Sequence, residues 1–356
     1  MNRIITYLRE NHIAYEEQVD LKDRTWIHRG GIVELWIIPN STDELLKVCR
    51  KLSKDNTSFK LIGQTSNLYF KNNYNPSVIV STLKLSRFNA TDDEIICECG
   101  VSVKKLAQYA IQNGIMGFEG LVDLPGTVGA AIYNNSGCYQ CSVSALLNHA
   151  EILMSDGSIK IFTYDDFKYN ERSSIFKRGE LNGIILNIHL KKILTKDKTE
   201  LVAIADKNHQ HRLTYQEKPA HTLGSIFPMP VYRAFEKNLS FFTRGLIYLI
   251  YLFRRGHIIS SIQYTKSQRD IILVCNGLWG IRNYISAFTF NCFIWKDEDA
   301  DSAFDKYKSF VLKVAQMSQT EIEIFESYCV HGGNPLHALT RNTMRISGQD
   351  LIKEYE

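Results

Sequence analysis

Residues 117–131 read Gly-Phe-Glu-Gly-Leu-Val-Asp-Leu-Pro-Gly-Thr-Val-Gly-Ala-Ala, with four glycines and a proline in fifteen positions beside an apolar run. No regular helix or strand holds glycine at that density. The segment must turn, and without Cβ atoms its main chain can approach a ligand closely. Successive backbone N–H groups in such a loop can cradle a pyrophosphate. A plain tight turn has the same composition, so the loop alone does not separate the two readings.

The flanking sequence alternates strands and helices. Residues 32–40 read as a strand, and Ser41 opens a helix with Glu44 at capping-box spacing. Residues 58–62 and 77–82 read as further strands around Gly63-Gln-Thr-Ser-Asn67, giving a first unit over 1–82. A second unit, 83–200, has an alternating strand at 94–99, a helix at 101–113 ended by Gly114, and a strand pair at 150–161 turning at Asp156-Gly157. A polar stretch at 191–200 leads into a third unit, 201–330, with a long helix at 301–317 and a surface tail at 331–356. The class is α+β, without internal repeats.

Composition narrows the partners. Forty-two basic and 38 acidic residues leave a net charge of +4 with no polybasic tail, so nucleic acid is not expected. The close pairs Cys97/Cys99 and Cys138/Cys141 are not joined to a second pair at zinc-ribbon spacing, so no metal site is expected. The first ten residues lack an apolar signal core, which fits a cytoplasmic protein with reduced thiols. The strongest apolar run, 245–253, is nine residues closed by Arg254 and Arg255, about half of a bilayer span.

Read as a whole, Pro125-Gly126-Thr127-Val-Gly129-Ala130-Ala131 followed by Asn135-Ser-Gly137-Cys-Tyr139 resembles the signature of the UDP-N-acetylenolpyruvoylglucosamine reductase (MurB) family. The resemblance runs in order through Thr25-Trp-Ile-His-Arg-Gly-Gly31, Pro39-Asn-Ser-Thr-Asp-Glu-Leu45 and Gly63-Gln64-Thr65-Ser66-Asn67-Leu68. It continues through residues 167–177, Arg212 and Gln216 ahead of Gly224-Ser225-Ile-Phe227, then Gly277-Leu-Trp-Gly-Ile-Arg282 and Glu321-Ile-Glu323-Ile324. It implies a two-subdomain FAD-binding fold of the PCMH or vanillyl-alcohol-oxidase type, followed by a C-terminal α+β substrate domain.

The implied activity is NADPH-dependent reduction of UDP-N-acetylglucosamine enolpyruvate through noncovalent FAD, a step of peptidoglycan precursor synthesis. The implied catalytic residues are Arg172 at the substrate carboxylate, Ser225 as proton donor and Glu323 as the last carboxylate. Residues 63–68, together with Pro125, Gly126, Thr127, Gly129, Ala130, Asn135 and Gly137, would hold the cofactor.

The chain departs from the family where Gln64 and Thr65 replace a run of glycines, and where Pro228-Met-Pro230 and Ser286-Ala-Phe-Thr-Phe290 replace polar stretches. An apolar insertion over about 231–270 carries Phe241, Phe242 and the run to Phe253. A helix packed on the third unit is the expected reading of residues 241–255; self-association or peripheral membrane contact are its alternatives. Those departures keep two further readings open: a related flavin oxidoreductase acting on another nucleotide sugar of surface-polysaccharide synthesis, and a flavin-binding interaction protein without turnover.

Overall fold

The computed structural model describes residues 1–195, 197–218 and 221–317, and the backbone of Phe325–Ser327. The expected tail at 331–356 lies outside the described residues. The chain begins with α1 (Asn2–Glu10), β1 (Ala14–Asp20), β2 (Ile32–Ile38), α2 (Thr42–Lys54), β3 (Lys60–Ile62), β4 (Leu68–Phe70) and β5 (Val78–Ser81). Strands β1, β2, β5 and β3 form one sheet in that order; β1 is antiparallel, and β2 and β3 both run parallel to β5.

Helix α2 starts where the cap predicts. Ser41 Oγ accepts from Glu44 N at 3.2 Å, while Glu44 Oε2 accepts from Asn40 N at 2.8 Å, one residue before the position a full capping box would use. Leu45, Val48, Cys49 and Leu52, on one face by their helical spacing, are buried.

Next come β6 (Phe88–Ala90), β7 (Glu94–Glu98), α3 (Val103–Gln112), α4 (Val128–Asn134), β8 (Gly137–Cys138), β9 (Cys141–Ser142), β10 (Leu147–Met154), β11 (Ile159–Thr163) and β12 (Gly183–Lys191). An antiparallel sheet of order β11-β10-β12-β7-β6 results. Its strands alternate: Ile95, Cys97, Ala150, Ile152, Ile188 and Leu190 are buried, and Glu94, His149 and His189 are on the other face. One apolar cluster runs from Leu35 and Val48 through Leu106 to Ile188, so the two sheet units share a core.

The third part holds α5 (Lys198–Tyr215), β13 (Thr222–Ser225), α6 (Met229–Asn238), α7 (Phe241–Arg255), α8 (Ser261–Cys275), β14 (Cys292–Ile294), α9 (Ala300–Ala315) and β15 (Phe325–Ser327). Leu201 and Ala205 of α5 belong to the core of the first two units, so this helix packs backward across them. A separate aromatic core of Phe227, Phe235, Phe293, Trp295, Phe304 and Tyr307 takes in Ile27 and Tyr69 from the N-terminal part. Segment 25–29 is thereby anchored in the aromatic core through Ile27, with buried Arg29 placed 3.5 Å from Asp301 of α9.

The insertion folds as α6, α7 and α8. Helix α7 packs along α8 but buries only Thr243 fully, and Phe241 and Phe242 are 86% and 67% exposed. The expected cover for this apolar stretch is therefore only partial within the described residues. Among those residues no helix is long and apolar enough to cross a membrane.

Candidate active site

Strand β3 delivers the chain into the loop at residues 63–67. Thr65 stands there at φ 57°, a left-handed conformation strained for a β-branched side chain, and is buried. Its Oγ1 accepts from Trp26 N at 2.8 Å, and its carbonyl accepts from Leu68 N at 3.0 Å. The backbone amides of Gln64, Thr65 and Ser66 meet no acceptor among the described hydrogen bonds. Consecutive free N–H groups around a left-handed residue form a concave anion site. Threonine thus holds, under strain, a conformation that would cost glycine nothing, and the Trp26 amide bonded to its hydroxyl helps to keep it there.

That arrangement yields a testable contrast. Thr65→Val keeps the β-branched strain and strands the Trp26 amide, so it is expected to destabilise the apoprotein by about 1–3 kcal/mol and to weaken flavin binding. Thr65→Gly loses the same acceptor but relieves the strain and should be the milder change. Denaturant unfolding and quenching of flavin fluorescence measure both.

The glycine-rich loop packs directly on this segment. Gly126 N donates to Gln64 Oε1 at 2.8 Å, and a Cβ on Gly63 would stand 2.5 Å from Thr127 Oγ1. Thr127 caps α4 through Ala130 N, Val128 N donates to Val101 O and Gly129 N to Cys99 O. The amides of Gly126, Val128, Gly129 and Ala130 are therefore engaged inside the protein. Four of this loop's amides thus hold its shape, while those of Gln64, Thr65, Ser66 and Thr127 meet no acceptor among the described hydrogen bonds. Gly129 shows why glycine is needed: a Cβ there would lie 2.9 Å from Cys99 O.

Asn135 ends α4 in the left-handed region and its Nδ2 donates to Asn170 O at 2.7 Å. Ser174 Oγ donates to Tyr133 O at 2.6 Å, and Tyr169 OH to Ile132 O at 3.0 Å. These bonds fasten the 169–174 turn to α4 and so place Arg172, half-buried at φ 53°, beside the 125–137 segment. Gly137 opens the β8–β9 pair just beyond.

Helix α5 closes over the same loop. Asn208 Nδ2 donates to Glu119 O at 3.0 Å, Arg212 Nη1 to Asp123 O at 3.1 Å, and Gln216 Nε2 to Tyr139 OH at 3.3 Å. Burial pushes the Asp123 carboxyl up, but His209 at 2.6 Å and Lys104 at 3.3 Å outweigh it and hold it below the usual carboxylate range. Arg212 and Gln216 are thus positioned by loop contacts that the sequence spacing alone did not specify.

Ser225 ends β13 with its side chain exposed, paired across to Cys292 of β14. Gly224 before it takes φ +80° in open space. Trp26 connects this strand to the anion loop, since its Nε1 donates to Thr222 O at 3.1 Å while its N donates to Thr65. Nothing in the spacing of residues 25–31 pointed to that bridging role. Glu323 lies outside the described residues; β15, two positions later, pairs in parallel with β4 from Leu68 onward, at the edge of the same loop.

The model of the FAD binding domain family matches residues 33–163, which contain both loops. UDP-N-acetylenolpyruvoylglucosamine reductase of Fervidobacterium nodosum is 32% identical over 213 residues, 59% of this chain and 67% of that protein. The protein of the same name from Caldicellulosiruptor saccharolyticus is 27% identical over 223 residues, 63% of this chain and 72% of that protein. The crystal structure of UDP-N-acetylenolpyruvylglucosamine reductase (MurB) from Thermus caldophilus covers 88% of this chain and 99% of its own at a TM-score of 0.62 and 19% identity, a shared fold. Sequence likeness and fold likeness lead to one conclusion: this chain belongs to the UDP-N-acetylenolpyruvoylglucosamine reductase family.

Proposed function

We propose that the protein reduces UDP-N-acetylglucosamine enolpyruvate to UDP-N-acetylmuramate with NADPH as reductant and noncovalent FAD as cofactor. The observation that carries this reading is Trp26, whose two N–H groups tie the free-amide loop at Thr65 to the Ser225 strand at Thr222. A phosphate site and a proton donor are thereby held in one frame. The residues fit FAD: the amides of 64–66 suit its pyrophosphate, and the close-packed 125–137 segment suits its approach.

When bound, FAD supplies hydride transfer from NADPH to the terminal carbon of the enolpyruvyl double bond. The chain's own residues manage the charge and the proton. Negative charge builds on the neighbouring carbon and its carboxylate, where the Arg172 guanidinium stabilises it. Ser225 Oγ–H gives its proton to that carbon, which works for a weak acid only because the acceptor is strongly basic and the strand end is fixed. Glu323 is assigned the task of balancing charge near Arg172 and orienting the enol. Purified enzyme should consume one NADPH per lactyl ether formed; NADPH oxidation only with a different nucleotide sugar would move the assignment to that sugar.

The reaction's soluble reductant and nucleotide-sugar substrate accord with a cytoplasmic enzyme. For the exposed face of α7 we favour an anionic membrane surface as partner. From Lys237 to Gln268 there is no acidic residue, while Lys237, Arg244, Arg254, Arg255 and Lys266 are basic. Exposed Tyr248, Leu249, Leu252 and Phe253 lie among them. Each basic side chain near such a surface contributes about 1 kcal/mol. Arg254→Glu with Arg255→Glu should therefore lower cosedimentation with vesicles of phosphatidylcholine and phosphatidylglycerol at least about tenfold. A dimer by light scattering with no vesicle binding would favour self-association instead.

A further inference from the structure

On the outer face of the second sheet, strands β7, β10 and β12 bring Glu94, His149 and His189 together. His149 and His189 are direct cross-strand partners in the β10–β12 register, and their imidazoles stack with centroids 3.9 Å apart and planes 18° from parallel. Glu94 Oε1 lies 3.0 Å from His189 Nδ1, and its second oxygen accepts from Asn148 Nδ2 at 3.4 Å. One ligand atom from each of the three residues lies within 4.8 Å of the others, and all three side chains are half-buried. We propose that these three residues bind a divalent transition-metal ion, zinc foremost.

The geometry argues for a metal on three counts. Facing residues on antiparallel strands have Cβ atoms roughly 5 Å apart, so two histidines in register, with Glu94 beside them, bring one ligand atom each within 4.8 Å of the others without backbone movement. Small side-chain rotations close the remaining gap to coordination distances. Two imidazole nitrogens and a carboxylate oxygen suit zinc, cobalt, nickel or copper, whereas magnesium and calcium want oxygen alone. The Asn148 bond fixes the carboxylate as an outer partner does at an established metal site. Half-burial leaves one side open for solvent ligands.

The site is separate from the flavin region. Glu94 begins β7, and Cys99, against which Gly129 packs, follows the other end. Five residues of strand span roughly 16 Å at about 3.3 Å each. A metal here would pin the three middle strands of the sheet rather than take part in hydride transfer. Neither its occupancy nor its test depends on the reaction assigned above.

The test uses tag-free, chelator-treated full-length protein titrated with cobalt(II), read by visible d–d absorption, and with zinc(II), read by calorimetry and by melting temperature. Wild type should bind one equivalent in the high-affinity phase and melt higher with zinc but not with magnesium. His149→Ala and His189→Ala should each lose at least about tenfold in zinc affinity, the smallest loss expected when even an outer partner is removed, and the melting shift with it. Flavin binding of each variant verifies that it is folded. Equal zinc binding by wild type and the double variant would overturn the proposal by placing the metal elsewhere, such as on thiols. No zinc-dependent rise in wild-type melting would overturn it as well.

Discussion

Replacement of Ser225 by alanine is expected to leave bleaching of the bound flavin by NADPH at the wild-type rate while slowing reduction of the enolpyruvyl substrate by roughly 10²–10⁴-fold, the usual contribution of a positioned acid. The structure makes this a clean substitution. The Ser225 side chain is exposed, and its neighbour Gly224 has open space around it, so loss of one hydroxyl removes no packing. Stopped-flow spectroscopy of the two half-reactions separates the effects. Equal loss in both would mean that Ser225 supports the fold of the β13–β14 pair and not the proton transfer.

Arg172→Ala is the second large effect. Loss of the guanidinium should slow substrate reduction by roughly 10²–10³-fold, with flavin content unchanged. Arg172 sits at φ 53°, and alanine there carries the same backbone strain as arginine. Its carbonyl, which accepts from Lys177 Nζ at 2.8 Å, remains in place whatever the side chain. Backbone support is therefore kept, and Arg172→Lys should recover part of the rate by restoring the charge without the planar fork. A fall in flavin content equal to the fall in rate would instead make Arg172 part of the cofactor cradle.

How much of this was legible depended on whether the signal was local. The Ser41 cap and the alternation at 94–99 are local, and the corresponding elements form within a residue or two of the expected ends; the 117–131 glycine run, expected only to turn, also holds the start of α4 at Val128. The family signature located Ser225 and Arg172 through ordered motifs, and the fold brings their segments to Trp26 and to α4. What could not be read was the division of labour among backbone amides. Whether Gly129 N points to a ligand or to Cys99 O is a tertiary fact, and so is a left-handed threonine stabilised by the Trp26 amide.

The same limit explains the packing of α5 and the histidine pair. Leu201 and Ala205 show a helix with an apolar contact, but not which core receives it. Glu94, His149 and His189 are far apart along the chain and become neighbours only through the β7-β12-β10 order, so a search of cysteine and histidine spacing passes over them. The apolar α7 was visible as composition; its incomplete cover was visible only once α8 was placed beside it.

The central claim is best tested by one anaerobic absorbance titration of the purified protein. The account predicts a bound-flavin band that one equivalent of NADPH bleaches and that UDP-N-acetylglucosamine enolpyruvate restores rapidly. Bleaching without recovery on that substrate would contradict the assigned reaction while leaving the cofactor in place, and absence of any flavin band after incubation with FAD would contradict the cradle itself.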